Sequence, residues 1–342
     1  MNQEAAQAEA QIEAQAQLQQ RNLSFAKKGI SRGLFSGALW GLDGVLMGMA
    51  LGLAPFTNNV SIFAAPLVGA CIHDGFAAIW LFICNVMKGK WRDYGRTLRT
   101  RPGKMIILAA LLGGPIGMCG NYLGIYFAGA SYSSAITSAY PALGVVLGAI
   151  FLKEKIPVRV WCGITMAVTG SLIVGMVPPD GGNYPHFYLG IGLAVLAAFG
   201  WALEGVISTY GMDLVDSDIA SGIREIVSCL CCFFILLPIA GEGLTAYQIL
   251  IDSFAQPSGW FIAMIGCIGA TSFMCWYRAM NMTGVGRAMG LNVTFALWSV
   301  FFGWLINDLQ ITPNLIIGVA VITCGTMLTI GNPKDLLNLK VR

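Results

Sequence analysis

Apart from a polar stretch over the first 28 positions, the chain alternates long apolar runs with short polar gaps. The runs cover about residues 31–53, 60–87, 104–128, 132–152, 158–177, 187–210, 219–240, 259–282, 287–306 and 313–331. Each is close to the 20 or so residues a helix needs to cross roughly 30 Å of hydrocarbon. Backbone groups in lipid must pair within their own segment, so the pattern predicts helices and not open sheets. The expected fold is an all-α integral membrane protein of ten transmembrane helices. A polar, Ala/Gln-rich cytosolic tail (1–28) precedes them, and a short basic cytosolic tail (334–342) follows. The first twenty residues hold no apolar core of the kind a cleaved signal needs.

Composition agrees. Hydrophobic residues make up 56% of the 342 positions and charged residues 11%, against roughly 25% charged in a soluble domain. That excludes soluble enzymes and nucleic-acid binders. The 43 glycines imply helix backbones pressed close together. All ten cysteines fall inside apolar runs, with no partner at zinc-ligand spacing. They are read as small packing residues, and no metal or cofactor is expected.

Charge places the loops. With ten spans, eighteen of the twenty Lys and Arg residues fall on one side of the membrane, in the two tails and alternate loops, and none falls in the opposite loops. Positive residues stay in the cytosol, so both termini are expected inside, at the plasma membrane. The loop between spans 6 and 7 is the exception, carrying Asp213, Asp216 and Asp218.

The chain also repeats itself. WGLDGVL from Trp40 is matched by WALEGVI from Trp201. Ile72-His73-Asp74 is matched by Ile223-Arg224-Glu225, and Ala142-Leu143 with Gly148 by Ala296-Leu297 with Gly303. The matches keep their order, which divides the chain into five-helix repeats at 29–180 and 181–333. Five is odd, so two such copies lie upside down relative to each other. Inverted repeats place a site near the midplane and let it face either side alternately.

Two stretches carry a family likeness: NYLGIYFAGASYSSAITSAYPALGVVLGAIFLKEKI from Asn121, and YRAMNMTGVGRAMGLNVTFALWSVFFGWL from Tyr277. They resemble the core of EamA-type permeases of the drug/metabolite transporter superfamily, over residues 30–331. A narrower likeness is to bacterial Lic-type choline-uptake permeases. It rests on His73-Asp74, GGPIGM at 113–118, AYPA at 139–142, WALEGVISTYGM at 201–212, Ile223-Arg224-Glu225 and GLNVTFALWSV at 290–300. Asp43 departs from that group, where an uncharged residue is expected. The resemblance implies a secondary transporter working by alternating access on a small molecule.

Charge inside a span costs about 2.5–3.5 kcal/mol on insertion scales. This chain nevertheless keeps Asp43, His73, Asp74, Glu204, Arg224, Glu225 and Arg278 within its spans. Arg278, near a cytosolic end, is read as snorkelling. The interior then holds four acids and one permanent base, an excess that calls for a cationic guest or protons. Trp40 and Asp43 stand three apart on one helix face, as do Trp201 and Glu204. Ring faces and a carboxylate suit a quaternary ammonium. Ser133, Thr137, Tyr140, Gly144 and Gly148 form a small polar stripe, as do Asn292, Ala296, Ser299 and Gly303; such stripes also serve helix packing. Pro141 is expected to bend its span beside Tyr140.

The candidate substrate contacts are therefore Trp40, Asp43, Tyr140, Trp201, Glu204, Asn292 and Trp298. His73, Asp74, Arg224 and Glu225 are the candidates for coupling or gating, with Arg224 equally able to form a structural pair. The cavity is expected between spans 1, 2, 4, 6, 7 and 9, and the substrate is expected to be choline or a related quaternary amine. Export of amino acids or amphipathic metabolites is the alternative. His73 and Asp74 point about 100° apart on a helix and come with no nucleophile motif, so an intramembrane enzyme is not expected.

Overall fold

The computed structural model describes residues 2–57, 62–152, 158–175, 184–283 and 285–330. Among the described residues all regular structure is helical. In chain order the helices are α1 (Asn2–Leu51), α2 (Ala64–Met87), α3 (Trp91–Leu98), α4 (Arg101–Ala128), α5 (Ala130–Thr137), α6 (Tyr140–Leu152) and α7 (Val158–Gly175). They continue as α8 (Phe187–Gly211), α9 (Ser217–Ile239), α10 (Leu244–Phe254), α11 (Pro257–Thr283), α12 (Val285–Asn292), α13 (Phe295–Asn307) and α14 (Pro313–Ile330).

Among the described residues, seven helical stretches are long and apolar enough to cross a membrane: Lys27–Leu51, α2, α4, α8, α9, α11 and Ala288–Asn307. The other three expected spans fall on shorter helices, namely α5 with α6, α7, and α14. Helix α1 runs unbroken across the expected boundary at 28/29. Two short helices, α3 and α10, occupy stretches read as loops. Lys153, Lys155, Asn183 and the basic tail lie outside the described residues, as do the surroundings of Gly148 and the side chain of Arg287.

Helices from the two halves pack on one another. Helix α1 lies against α11 and α13, α2 against α9 and α11, α4 against α8 and α9, and α7 against α14. Local sequence explains the interruptions. The turn between α5 and α6 falls at Ser138 and Ala139, and Pro141 stands in the first turn of α6, where its missing N–H would have had no partner within the helix. The counterpart stretch breaks too, at Val293 and Thr294 between α12 and α13. In α4, Leu112–Met118 forms a widened π turn around Pro115, which has no N–H to donate.

One end of the bundle is tied by ions. Asp218 at the start of α9 takes Lys88 Nζ at 2.9 Å and Arg278 through two bonds, at 2.6 and 2.9 Å. Asp216 caps α9 through the backbone N–H of Asp218 at 2.9 Å and also accepts from Lys90 Nζ at 2.8 Å. Burial alone would lower the Lys90 ammonium, but Asp216 and Asp218 outweigh it and hold its pKa above the ordinary range. This cluster explains acidic residues in a loop facing basic ones. It also corrects the snorkelling account of Arg278, whose head ends in a two-pronged carboxylate pair.

Candidate functional site

Five aromatic rings close a cycle at the centre of the bundle. Trp40 of α1 meets Trp201 of α8 with centroids 5.5 Å apart, and Trp201 meets Tyr140 of α6 at 6.3 Å. Tyr140 meets Trp276 of α11 at 6.3 Å, Trp276 meets Phe273 at 5.9 Å, and Phe273 returns to Trp40 at 5.3 Å. All five contacts are edge to face, with interplanar angles of 75–80°. Each positive ring edge therefore rests on a negative ring face. The cycle lines a cavity of about 30 Å³ together with Phe295, Ser36, Ser272 and Asn292. That volume holds a water or two. A guest larger than that does not fit the cavity in this arrangement.

The polar wall is a hydrogen-bonded knot. Ser36 Oγ donates to the Ser272 carbonyl at 2.9 Å, and Ser272 Oγ donates back to the Ser36 carbonyl at 2.8 Å. Asn292 Nδ2 donates to Ser36 Oγ at 3.0 Å, and Tyr140 OH donates to Asn292 Oδ1 at 3.3 Å. The breaks beside Tyr140 and Asn292 thus bring two interrupted helices to one place.

Behind the rings lies a fully buried charge network. Asp43 Oδ2 pairs with His73 Nε2 at 3.0 Å, and its Oδ1 accepts from Tyr122 OH at 3.0 Å. His73 Nδ1 pairs with Asp74 Oδ1 at 2.9 Å, and Ser228 Oγ donates to the other Asp74 oxygen. Arg224 donates from Nε to Glu204 at 3.1 Å and from Nη1 to both Glu225 oxygens at 2.9 and 3.0 Å. Its Nη2 donates to the Gly113 carbonyl at 3.1 Å, and Nη1 stands 4.0 Å from Asp74. The guanidinium is therefore committed on all three nitrogens, and its carbon lies 4.1 Å from the Phe273 ring centroid. Glu204 Oε1 also accepts from Tyr277 OH at 2.9 Å, while Oε2 is buried without a partner. A buried charge left unpaired costs several kcal/mol, which accounts for the density of this network.

GGPIGM supplies the room. A Cβ at Gly113 would strike the Glu204 carboxylate, one at Gly114 would strike Ser228, and one at Gly117 would strike the Trp201 indole. The bare backbone of α4 is what lets α8 and α9 approach.

Of the expected contacts, Trp40, Tyr140, Trp201 and Asn292 meet at the cavity. Asp43 and Glu204 do not line it. Three residues along a helix turn each acid away from its tryptophan's cavity face and into the charge network. Trp298 also lies elsewhere, 38% exposed on the outside of the bundle and stacked on Phe302. Helices α1, α6, α8 and α12 contribute walls as expected, but α2 and α9 hold charges instead, and α11 takes their place. Sequence reading missed Ser36, Ser272, Phe273, Trp276, Tyr122, Tyr277 and Ser228. One signal was available: Ser36 precedes Trp40 by four, and Ser272 precedes Trp276 by four. Ser133 and Thr137 bond within their own neighbourhood and do not line the cavity, and neither does Ser299, whose Oγ is buried without a partner. The cysteines are free, and Cys119 and Cys232 stand 3.9 Å apart in the packed interior.

Comparison with known proteins agrees with this architecture. The EamA-like transporter family matches residues 27–176 and 188–331. The chain belongs to that family, and it is a multi-pass membrane protein of a transporter class. Protein LicB of Haemophilus influenzae (strain ATCC 51907 / DSM 11121 / KW20 / Rd) is 26% identical over 227 residues, covering 65% of this chain and 74% of that protein. A protein of known crystal structure superposes with a TM-score of 0.58 at 15% identity, covering 89% of this chain and 95% of that one. That likeness concerns the fold alone.

Proposed function

We propose that the chain is a secondary transporter that takes up choline or a related quaternary amine by alternating access. In this reading ten spans form two inverted five-helix repeats, with both termini in the cytosol and the protein in the plasma membrane. One observation carries it: the closed cycle Trp40–Trp201–Tyr140–Trp276–Phe273, drawn from both halves of the chain. Around the cycle each contact sets one ring's positive edge against its neighbour's face. A trimethylammonium group offers the same positive, apolar surface and takes over those faces, each ring adding cation–π attraction. It donates no hydrogen bonds, so it asks nothing further of the walls.

The buried acids act from behind the rings. Asp43, Asp74, Glu204 and Glu225 face Arg224 and His73 across one network, and the unpartnered Glu204 Oε2 is its open position. A proton or the field of a bound cation balances the excess there. This makes Glu204 the proposed coupling residue, with Asp74 second. His73, Arg224 and Glu225 hold the two acids in place.

The test compares binding of choline and of its neutral isostere, carbon in place of nitrogen, to the purified protein. The proposal expects choline to bind and the isostere to bind poorly. Equal binding, or binding of aromatic amino acids without choline, overturns it in favour of a metabolite exporter.

A further inference from the structure

The polar wall of the cavity has its own chemistry, separate from the aromatic cycle. Ser36, Ser272 and Asn292 are each more than nine-tenths buried. They come from α1, α11 and α12 and meet at one side of the cavity. Their mutual bonds leave a definite remainder. Asn292 Nδ2 uses one of its two hydrogens on Ser36, and Asn292 Oδ1 uses one of its two lone-pair positions on Tyr140. Ser272 Oγ donates to the Ser36 carbonyl, shares a 3.1 Å contact with Ser36 Oγ and keeps one acceptor position. The wall thus offers one amide N–H and neutral oxygen acceptors.

A hydroxyl matches that remainder, since it both accepts and donates. A carboxylate does not match. It donates nothing, the polar wall gives it one free N–H where it needs several, the unpartnered Trp201 and Trp276 Nε1–H groups are buried in the ring cycle and not in that wall, and no cationic side chain lines the cavity. Arg224 is behind Phe273, with all three nitrogens committed to Glu204, Glu225 and the Gly113 carbonyl. A primary ammonium fits poorly as well, because its three N–H groups need acceptors that the aromatic faces do not supply.

We infer that Ser36, Ser272 and Asn292 form a specificity site that reads a neutral hydroxyl on the quaternary amine and rejects a carboxylate at the same position. The inference rests on the quaternary-amine reading of the aromatic cycle. Under it, the substrate class narrows to hydroxyalkyl trimethylammonium compounds, and zwitterionic betaines are excluded. Ser36 and Ser272 bind each other across the crossing of α1 and α11, so the reading element is held rigid by both halves of the chain.

The test measures affinities of the purified protein for three ligands: choline, ethyltrimethylammonium without the hydroxyl, and glycine betaine with a carboxylate. Choline should bind about tenfold more tightly than ethyltrimethylammonium, the size of one buried hydrogen bond, and betaine should bind most weakly. In Ser272→Ala and in Asn292→Ala the gap between the first two ligands should shrink to about threefold or less. Equal binding of choline and ethyltrimethylammonium to the parent protein overturns the specificity site while leaving the cation site standing. Betaine binding as tightly as choline overturns it too. If none of the three binds, the quaternary-amine reading falls and this inference falls with it. Should either variant fail to fold, the ranking of the three ligands on the parent protein still decides.

Discussion

Trp40 and Trp201 meet edge to face, with ring centroids 5.5 Å apart and planes at 76°. They occupy matching positions in WGLDGVL and WALEGVI, one in each half of the chain. Neither is held by a hydrogen bond: the Trp201 Nε1–H is buried without a partner. What fixes the pair is packing, with α4 glycine backbone on one side and the other rings of the cycle on the other. A site built this way can open by ring rotation without breaking strong bonds.

Removing one ring face should be costly for a cation and nearly neutral for its uncharged isostere. Trp201→Leu keeps an apolar side chain at this buried position, though a smaller one, and removes the π surface. Choline affinity should fall by about 2 kcal/mol, or roughly thirtyfold. The isostere's weak affinity should change little. Isothermal titration of both ligands against both proteins checks the contrast; parallel losses would mean that the change had merely disturbed packing.

Gly117 should matter through Trp201. Its missing Cβ leaves space that the indole occupies, 2.5 Å from where that carbon would stand. Gly117→Ala should push the ring into the cavity and weaken choline binding, with a lower thermal midpoint. Gly95 has open space around it, and Gly95→Ala should leave both readings unchanged. Tryptophan fluorescence and a melting curve on each variant supply the comparison.

Glu204 should carry the coupling. Glu204→Gln keeps an acceptor for Tyr277 and Arg224 but cannot take up and release a proton. The variant should retain much of its choline binding and lose accumulation driven by an imposed pH gradient in vesicles. Unchanged accumulation would remove Glu204 from the cycle and leave its pair with Arg224 as a structural one.

Orientation is open to a labelling test. Thr245 in α10 and Gly95 in α3 are exposed and belong to loops that the charge pattern puts on opposite sides. In a background without native cysteines, Thr245→Cys should react with an impermeant maleimide in intact cells. Gly95→Cys should react only after permeabilisation. The reverse result would overturn the proposed orientation and the uptake argument built on it.

Much of this protein is legible along the chain because the membrane imposes simple rules. A span needs about 20 apolar residues, so α2, α4, α8, α9 and α11 stand out wherever polar residues stop. A charge in hydrocarbon is expensive, so Asp43, His73, Asp74, Glu204, Arg224 and Glu225 mark the centre without any coordinates. Trp40, Tyr140, Trp201 and Asn292 were reachable through helical spacing and the internal repeat. What periodicity cannot supply is which neighbour each side chain finds. It placed Trp40 and Asp43 on one face, yet three residues on a helix subtend about 60°, enough to send the ring into the cavity and the acid to His73 and Tyr122. Phe273, Trp276 and Ser272 carry no unusual chemistry for a membrane helix, so nothing in their spacing distinguished them from packing residues. Their role arises where α11 crosses α1, and Ser36 and Ser272 then bond across that crossing. Trp298 fails for the same reason in reverse: its neighbours in sequence include Asn292, but its helix turns it outward onto Phe302. Spacing along one helix sets a residue's direction; only the packing of helices from both halves sets what it meets.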